Sequence, residues 1–540
     1  MPNRTGFHFD VKIASGVRLA AGGLLILGAV LVATPSAQAL PSYARQTGQP
    51  CGACHTDFPG LTPFGRGFKL RGYTIGGGQF KTTPFASFED NSKTGPKANA
   101  KTAALSSFVD DLTNGGKNRL PLSMESILAY GPTTKMPTKA PPVAPATSNS
   151  HDVWIPPIAV MGIVGFTHTE ADQDPTGSPY RPNDNVVPAP VSAFYGGAIT
   201  DHIGAFAQVT YTGPGFGAPG DPFTHNWTWD NTDVRYADSG KLGDLNVVWG
   251  ITANNNPTVQ DAWNTIPAWG FPYAASTVAP TPATHTLIDG TFAAHVVGVG
   301  AYTLINDLVY LEATVYKTLN FNAQNRLGAD PLGAPGLIQD LAPYFRIAVE
   351  PHWGDNYFEV GAFGMFANVA PWLFAIDGTT NVAGMTDKMT DIGFDSQFQH
   401  KGDHYWLTVR GSYIHETQQL DASTFLGFAA NPTNDLNTLR AQGSFSYGDD
   451  NRIVLTGQYF STWGSTDPVL YGGLISGSSP NSNGFVAEIA YIPFSASKSP
   501  GWPWFNARIG LQYTYYNEFD GDKINARANN TLLLYTWLAM

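Results

Sequence analysis

The decapeptide Leu308-Val309-Tyr310-Leu311-Glu312-Ala313-Thr314-Val315-Tyr316-Lys317 decides the fold. Val309, Leu311, Ala313 and Val315 alternate with Tyr310, Glu312, Thr314 and Tyr316. Successive side chains of an extended chain point to opposite faces, so this is a strand with one apolar and one polar face. The period returns later: Tyr405, Leu407, Val409, Gly411 and Tyr413 oppose Trp406, Thr408, Arg410 and Ser412. Likewise Phe505, Ala507, Ile509, Leu511 and Tyr513 oppose Asn506, Arg508, Gly510, Gln512 and Thr514. From about Trp154 such segments follow one another, separated by clusters of Gly, Asn, Asp and Pro.

Strands of a soluble sandwich and of a membrane barrel both alternate, so the content of the polar face must separate them. Here it carries Glu312, Arg346, Arg410, Glu488 and Arg508, spread over many segments, which suits a polar lumen. Tight connections such as Asn306-Asp307 and Asp449-Asp450-Asn451 fit hairpins. The Pro/Gly/Asn-rich stretches near 213–226, 254–285, 318–342 and 461–483 fit long loops at the other end. Trp227, Trp229, Trp249, Trp353, Trp502, Trp504 and Trp537 lie near segment ends and are expected to form interfacial girdles. The expected fold is all-β, a transmembrane antiparallel β-barrel over residues 120–540, with a strand at 120–130 and a linker at 81–119. The ending Trp537-Leu538-Ala539-Met540 departs from the terminal aromatic of many such barrels.

Composition agrees. The chain has 540 residues, 13% charged, 13% aromatic and 58 glycines. After the N-terminal segment, no uncharged apolar run is long enough for a membrane helix. Arg4, Lys12 and Arg18 precede an apolar run from Leu19 to Ala33, and Ser36-Ala37-Gln38-Ala39 supplies a cleavage pattern. Residues 1–39 therefore read as a signal peptide, and the mature chain would begin at Leu40. The formal charge is −12, and −14 once this leader of net charge +2 is removed. An acidic sum argues against nucleic acid as a partner and would attract cations, although it serves equally to keep surface loops soluble.

Between leader and barrel stands Cys51-Gly52-Ala53-Cys54-His55. Two thiols two residues apart can add to the two vinyl groups of one haem, and the next residue presents an imidazole to its iron. Cys51 and Cys54 are thus the candidate covalent attachment points of haem c, and His55 the proximal iron ligand. They are the only cysteines, which excludes a four-thiolate zinc site. A thioredoxin-like dithiol would want a βαβ context in place of this Pro/Gly-rich stretch.

Residues 40–80 form the expected monohaem cytochrome c unit. It is too short to bury a core of its own, so the haem must be its hydrophobic centre. Phe58, Leu61, Phe64, Phe68, Leu70 and Tyr73 are candidates to pack on the ring; Arg66, Lys69 and Arg71 either pair with its propionates or are solvated. No Met or His other than His55 occurs between Leu40 and Met124, so a distal ligand of those types must come from later in the chain. Met124, His151, Met161, His168, His202 and His225 are open candidates; the alternative is five-coordinate or water-bound iron. The unit is expected to dock inside or against the barrel mouth, whose inward polar groups complete its pocket.

Other features weigh less. His400-Lys401-Gly402-Asp403-His404 holds two imidazoles at a turn, without the further spaced ligands a metal site needs. Glu170-Ala171-Asp172-Gln173-Asp174 reads as a solvated loop.

The arrangement resembles the bacterial fused monohaem cytochrome-porin proteins, related to the outer-membrane iron oxidases. The residues that carry the resemblance are 40–48 with Cys51 to His55, Phe64-Gly65-Arg66 to Tyr73, Phe194-Tyr195-Gly196-Gly197-Ala198-Ile199-Thr200-Asp201-His202, and Asn254-Asn255-Asn256-Pro257-Thr258-Val259-Gln260-Asp261 running into Trp269-Gly270-Phe271-Pro272. The resemblance implies a small haem unit plugging or abutting a barrel of about 16 strands. It further implies electron transfer in the cell outer membrane, with an extracellular donor or acceptor and a periplasmic electron carrier as partners. Ferrous iron as donor follows only from the iron-oxidising relatives. Two other readings remain: a porin whose haem unit is structural or regulatory, and a soluble periplasmic cytochrome with a β-rich binding module.

Overall fold

The computed structural model describes residues 40–74, 157–173, 180–188, 190–211, 227–266, 270–329, 335–371, 385–448, 451–496 and 499–540. The leader, the linker 81–119, the strand expected at 120–130, and Met124, His151 and His225 lie outside these residues.

The alternating segments become strands. After β1 (His55–Asp57) and β2 (Gly60–Leu61) come β3 (Ile158–Thr169), β4 (Asn185–Val187), β5 (Val191–Ala198), β6 (Ile203–Tyr211), β7 (Trp227–Leu242), β8 (Leu245–Asn254), β9 (Val296–Ile305) and β10 (Val309–Thr318). The second half supplies β11 (Gly336–Ile338), β12 (Ala342–Val349), β13 (His352–Trp353), β14 (Asn356–Pro371), β15 (Asp387–Lys401) and β16 (Tyr405–Gln419). It ends with β17 (Thr433–Tyr447), β18 (Ile453–Gly464), β19 (Ser482–Tyr491), β20 (Asn506–Glu518) and β21 (Thr531–Ala539). From β3 onward each strand pairs with its sequence neighbours, all antiparallel, and β21 returns to β3, so the sheet closes. β4 continues the line of β5, and β11, β12 and β13 share one line along β14, so sixteen staves make the wall. Closure holds to the end of the chain, where Met540 exchanges backbone hydrogen bonds with Val160.

The opening decapeptide shows which face is which. Along β10, Tyr310, Glu312, Thr314 and Tyr316 are buried while Leu311, Ala313 and Val315 are exposed. Elsewhere Val299, Ile347, Val409, Leu455, Ile489 and Leu511 are exposed on the outside, and Arg346, Glu359, Asp391, Arg410, Glu488 and Arg508 are buried inside. This polarity is inverted relative to a protein in water, and it is stable only where the surround is lipid and closure leaves no unpaired edge. The chain is an outer-membrane β-barrel. Among the described residues no helix is long and apolar enough to cross a membrane.

Connections differ at the two ends. Leu242 to Leu245 and Ile305 to Val309 are tight turns, the second with Asn306 and Asp307 both in the left-handed region that hairpins of this type require. The opposite ends of the strands carry the long connections, such as those from Asn254 to Val296 and from Gly464 to Ser482. In barrels of this kind short turns face the periplasm. Trp227, Trp249 and Trp353 are exposed near strand ends as a girdle would have them. Trp537 is not: it is buried on the inner face, and Trp504 lies under Arg45, 4.7 Å from guanidinium carbon to ring centre.

Candidate functional site

Residues 40–74 fold as three short helices, Pro41–Thr47, Cys51–Cys54 and Pro63–Leu70, with the β1–β2 hairpin between the last two. Pro63 opens the third helix, and Thr62 caps it by accepting the Gly65 amide at 3.1 Å. The same Thr62 hydroxyl donates to the Ala53 carbonyl at 2.6 Å, and its amide donates to the Cys54 carbonyl at 2.9 Å. One residue thus ties the cysteine turn to the helix that packs on it.

This segment lies in the lumen, at the short-turn mouth. Tyr43 Oη donates to the Ala205 carbonyl at 3.1 Å, Arg45 to the Ile158 carbonyl at 2.7 Å, and Tyr302 Oη to the Leu70 carbonyl at 2.7 Å. Tyr73 Oη donates to Asp233 at 2.6 Å, and Asn451 to the His55 carbonyl at 2.8 Å. Asp57 is buried and ion-paired with Arg508 at 2.8 Å, while Thr456 donates to it at 3.1 Å. Strands from all round the wall grip the segment, as the docking expectation required.

Arg66 and Lys69 serve this docking. Arg66 is buried, paired with Glu350 and donating to Gln399 at 2.6 Å. Lys69 donates to the carbonyls of Val259 and Asp261, at 2.5 and 2.7 Å. Burial lowers the ammonium of Lys69 to about 7, with Arg235 adding to the effect. Neither cation is solvated, and neither is left over for a propionate. Sequence could not show this, because their partners are contributed by the barrel turn at Glu350 and by an inward loop.

That loop, Asn255 to Ile266, descends from the long-loop end, and all twelve of its residues are buried. Several of its polar groups find partners inside: Asn255 donates to the Asp230 carbonyl at 2.7 Å and Gln260 to Tyr316 Oη at 2.7 Å. Asn264 donates to the Pro59 carbonyl at 3.1 Å, so the loop meets the N-terminal segment within the lumen.

Cys51 and Cys54 lie one helical turn apart, are half-buried and form no disulfide. Burial pushes the Cys54 thiol up to about 12, with the neighbouring Cys51 contributing. Asn506 Nδ2 donates to Cys51 Sγ at 3.4 Å. His55 Nδ1 is 3.2 Å from the Pro59 carbonyl. That bond fixes Nδ1 as the protonated nitrogen and leaves the Nε2 lone pair for a ligand. Desolvation lowers the imidazole to about 4, which keeps it neutral, as metal ligation demands. Leu70 and Tyr73 are buried against the wall, whereas Phe58, Leu61, Phe64 and Phe68 stay half-buried, Phe58 beside His55 at 4.7 Å and Phe68 beside Tyr43 at 5.2 Å.

These residues fit haem c. The donor set has the right chemistry, and apolar rings border it. Two buried donors nearby have no acceptor among the described residues: Trp537 Nε1, whose ring meets Phe58 at 5.1 Å, and Arg410 Nη2, next to Gly60. Carboxylates such as propionates are acceptors only.

The remaining candidates are dispersed. His168 pairs with Asp184 at 2.8 Å on the exterior, and His202 stacks on Tyr236 at a turn. His400 bonds Asn356 at 2.9 Å beside a hairpin turn, and no group of three or more metal-ligating side chains occurs among the described residues.

No protein-family model matches the sequence, and no curated protein matches it. Among solved structures the chain is similar to the outer membrane channel DcaP of Acinetobacter baumannii, with 13% identity and a TM-score of 0.40, over 71% of this chain and 96% of that one. It is similar to OprB of Pseudomonas putida, with 10% identity and a TM-score of 0.40, over 71% and 92%. A third is OmpF of Salmonella typhi in complex with daunomycin, at 11% identity and a TM-score of 0.38, over 71% and 97%.

Proposed function

We propose that the protein moves single electrons across the outer membrane by means of one c-type haem, attached at Cys51 and Cys54 and ligated by His55. The observation that supports this best is that the Cys-x-x-Cys-His turn is gripped inside the lumen of a closed barrel by direct hydrogen bonds and an ion pair to the wall. A haem held there supplies one-electron chemistry through its iron. Pro59 holds His55 in the tautomer that offers Nε2. Phe58 sets its ring edge-on to that of His55, 4.7 Å between centres, and shields that side of the imidazole. The inward loop and the N-terminal segment both lie in the bore, and the inward side chains Asp233, Glu312, Arg346 and Arg508 are buried where an open water channel would wet them.

That burial favours an electron path over a solute pore. The segment occupies the turn-side mouth, so a periplasmic electron carrier would meet it directly. An extracellular donor such as ferrous iron would give up one electron per ion and leave as ferric iron, and the acidic chain, of net charge −12, would draw such cations. The test is a redox titration of purified holoprotein with ferrous iron and other candidate donors, read through the haem bands, beside conductance in planar bilayers. We expect reduction by an extracellular-type donor and no open-pore conductance. A stable ion-conducting pore with a haem indifferent to every donor would instead favour the porin reading.

A further inference from the structure

We propose that Met161 is the second axial ligand of the iron, an assignment that rests on the haem reading above. Residues 40–74 contain no Met and no His besides His55, so any such ligand comes from later in the chain, and among the described residues that means the barrel. Met161 belongs to the inner face of β3. Its neighbours on that face, Ala159 and Ile163, are 2% and 6% exposed, yet Met161 between them is only half-buried. An inward side chain that its neighbours do not cover borders space inside the lumen.

Two independent lines of contact place that space beside the haem residues. The first runs across the sheet. Asn506 pairs with Ala539, and Ala539 pairs with Met161. Directly opposed residues share a face, so all three look into the lumen in one row. Asn506 holds Cys51 Sγ at 3.4 Å, and two interstrand steps of about 4.8 Å separate it from Met161. The residue between them is alanine. The second line runs through rings: His55 meets Phe58 at 4.7 Å, and Phe58 meets Trp537 at 5.1 Å. Trp537 pairs with Ile163, which makes it a diagonal neighbour of Met161.

Packing closes the case from both sides. Met161 packs with Phe58 against one cluster, built on Ile163 and Trp537, and with Tyr43 and Phe68 against another, built on Tyr73 and Phe194. Of the methionines described, Met161 is the one that the apolar clusters containing N-terminal segment residues include. Its unbranched, flexible thioether can reach and bind, and a Met/His pair raises a haem's potential.

The experiment uses purified holoprotein, full length, with the ferric optical spectrum, spin state, cyanide binding and midpoint potential recorded. Wild type should be low-spin with a sulfur-to-iron charge-transfer band. Met161→Leu, close in volume, should keep stained covalent haem but lose that band, turn high-spin, bind cyanide faster and shift to lower potential. Met161→His should restore the low-spin state without the sulfur band. A Met161→Leu spectrum matching wild type, or a wild type lacking the band, would overturn the assignment while leaving covalent haem and electron transfer intact. A wild type with no stained haem would instead remove the proposed function itself.

Discussion

A Cβ at position 65 would stand 2.2 Å from the carbonyl oxygen of Cys54, against backbone that cannot swing aside. Gly65 therefore lets the helix Pro63–Leu70 close over the cysteine turn. Gly65→Ala should cost about 1–3 kcal/mol, the usual range for overpacking, and lower the haem bound per protein on stained gels. Gly443→Ala, at an exposed β17 site where an added Cβ meets nothing within 4 Å, should leave both unchanged. Cys51→Ala and Cys54→Ala should each remove one thioether, and His55→Ala the axial bond; unaltered haem staining and spectra in all three would end the haem proposal. Arg508 binds Asp57 and Glu488, all three buried. Arg508→Ala leaves two carboxylates without their cation, a loss of about 3–5 kcal/mol, and should free the segment for protease cleavage near His55. At this scale the Cys51-x-x-Cys54-His55 turn was legible because its pattern is local. The roles of Asp57, Arg66 and Lys69 were not, since their partners lie 451, 333 and 190 residues away along the chain.

Strands are elements whose period is written in the sequence, and β10, β16 and β20 turn the expected faces inward. Loops have no such period. The run from Asn255 to Ile266 is polar enough to pass for solvated chain, yet it is buried because wall groups such as Tyr316 and the Asp230 carbonyl answer its hydrogen bonds. The same logic on the other long loops gives a prediction. Asp467 accepts from the amides of Ala430, Asn431, Val469 and Leu470, at 2.9 to 3.0 Å, and from Asn434 at 3.1 Å. Burial alone would raise its carboxyl, but the amides of Leu470, Asn431 and Ala430 outweigh it and hold the group well below the ordinary 3.8. A depressed folded value means the contribution is complete above 3.8 and is lost as pH falls through that lower value. Hydrogen exchange at residues 429–431 and 467–471 should be slow at neutral pH and rise only in strong acid. Asp467→Asn should make it fast throughout, and exchange unchanged by that substitution would show that the loops are held otherwise.

For the whole molecule, closure is the governing fact. With β21 paired to β3 along nine residues, no edge is left, and the chain should fractionate with outer membranes and migrate differently on gels before and after boiling. Recovery from the soluble periplasmic fraction would contradict the lipid-facing surface. The sequence carried this architecture because charge on one face and aliphatic side chains on the other recur in strand after strand. It could not carry the union of barrel and N-terminal segment, which is made of contacts between them. Tyr73 with Asp233, Asp57 with Arg508, and Arg66 with Glu350 and Gln399 all cross that boundary. A fragment ending near Phe80 retains both thiols and His55 but loses every one of these partners, together with Met161. It should still attach haem covalently, since that chemistry is local to five residues. Its iron should take up cyanide or carbon monoxide more readily than in the full chain, and its midpoint potential should shift, because exposure and axial ligation both tune it. Equal ligand affinity and equal potential in fragment and full chain would mean that the barrel only tethers the haem, and the occupied lumen would then need another purpose.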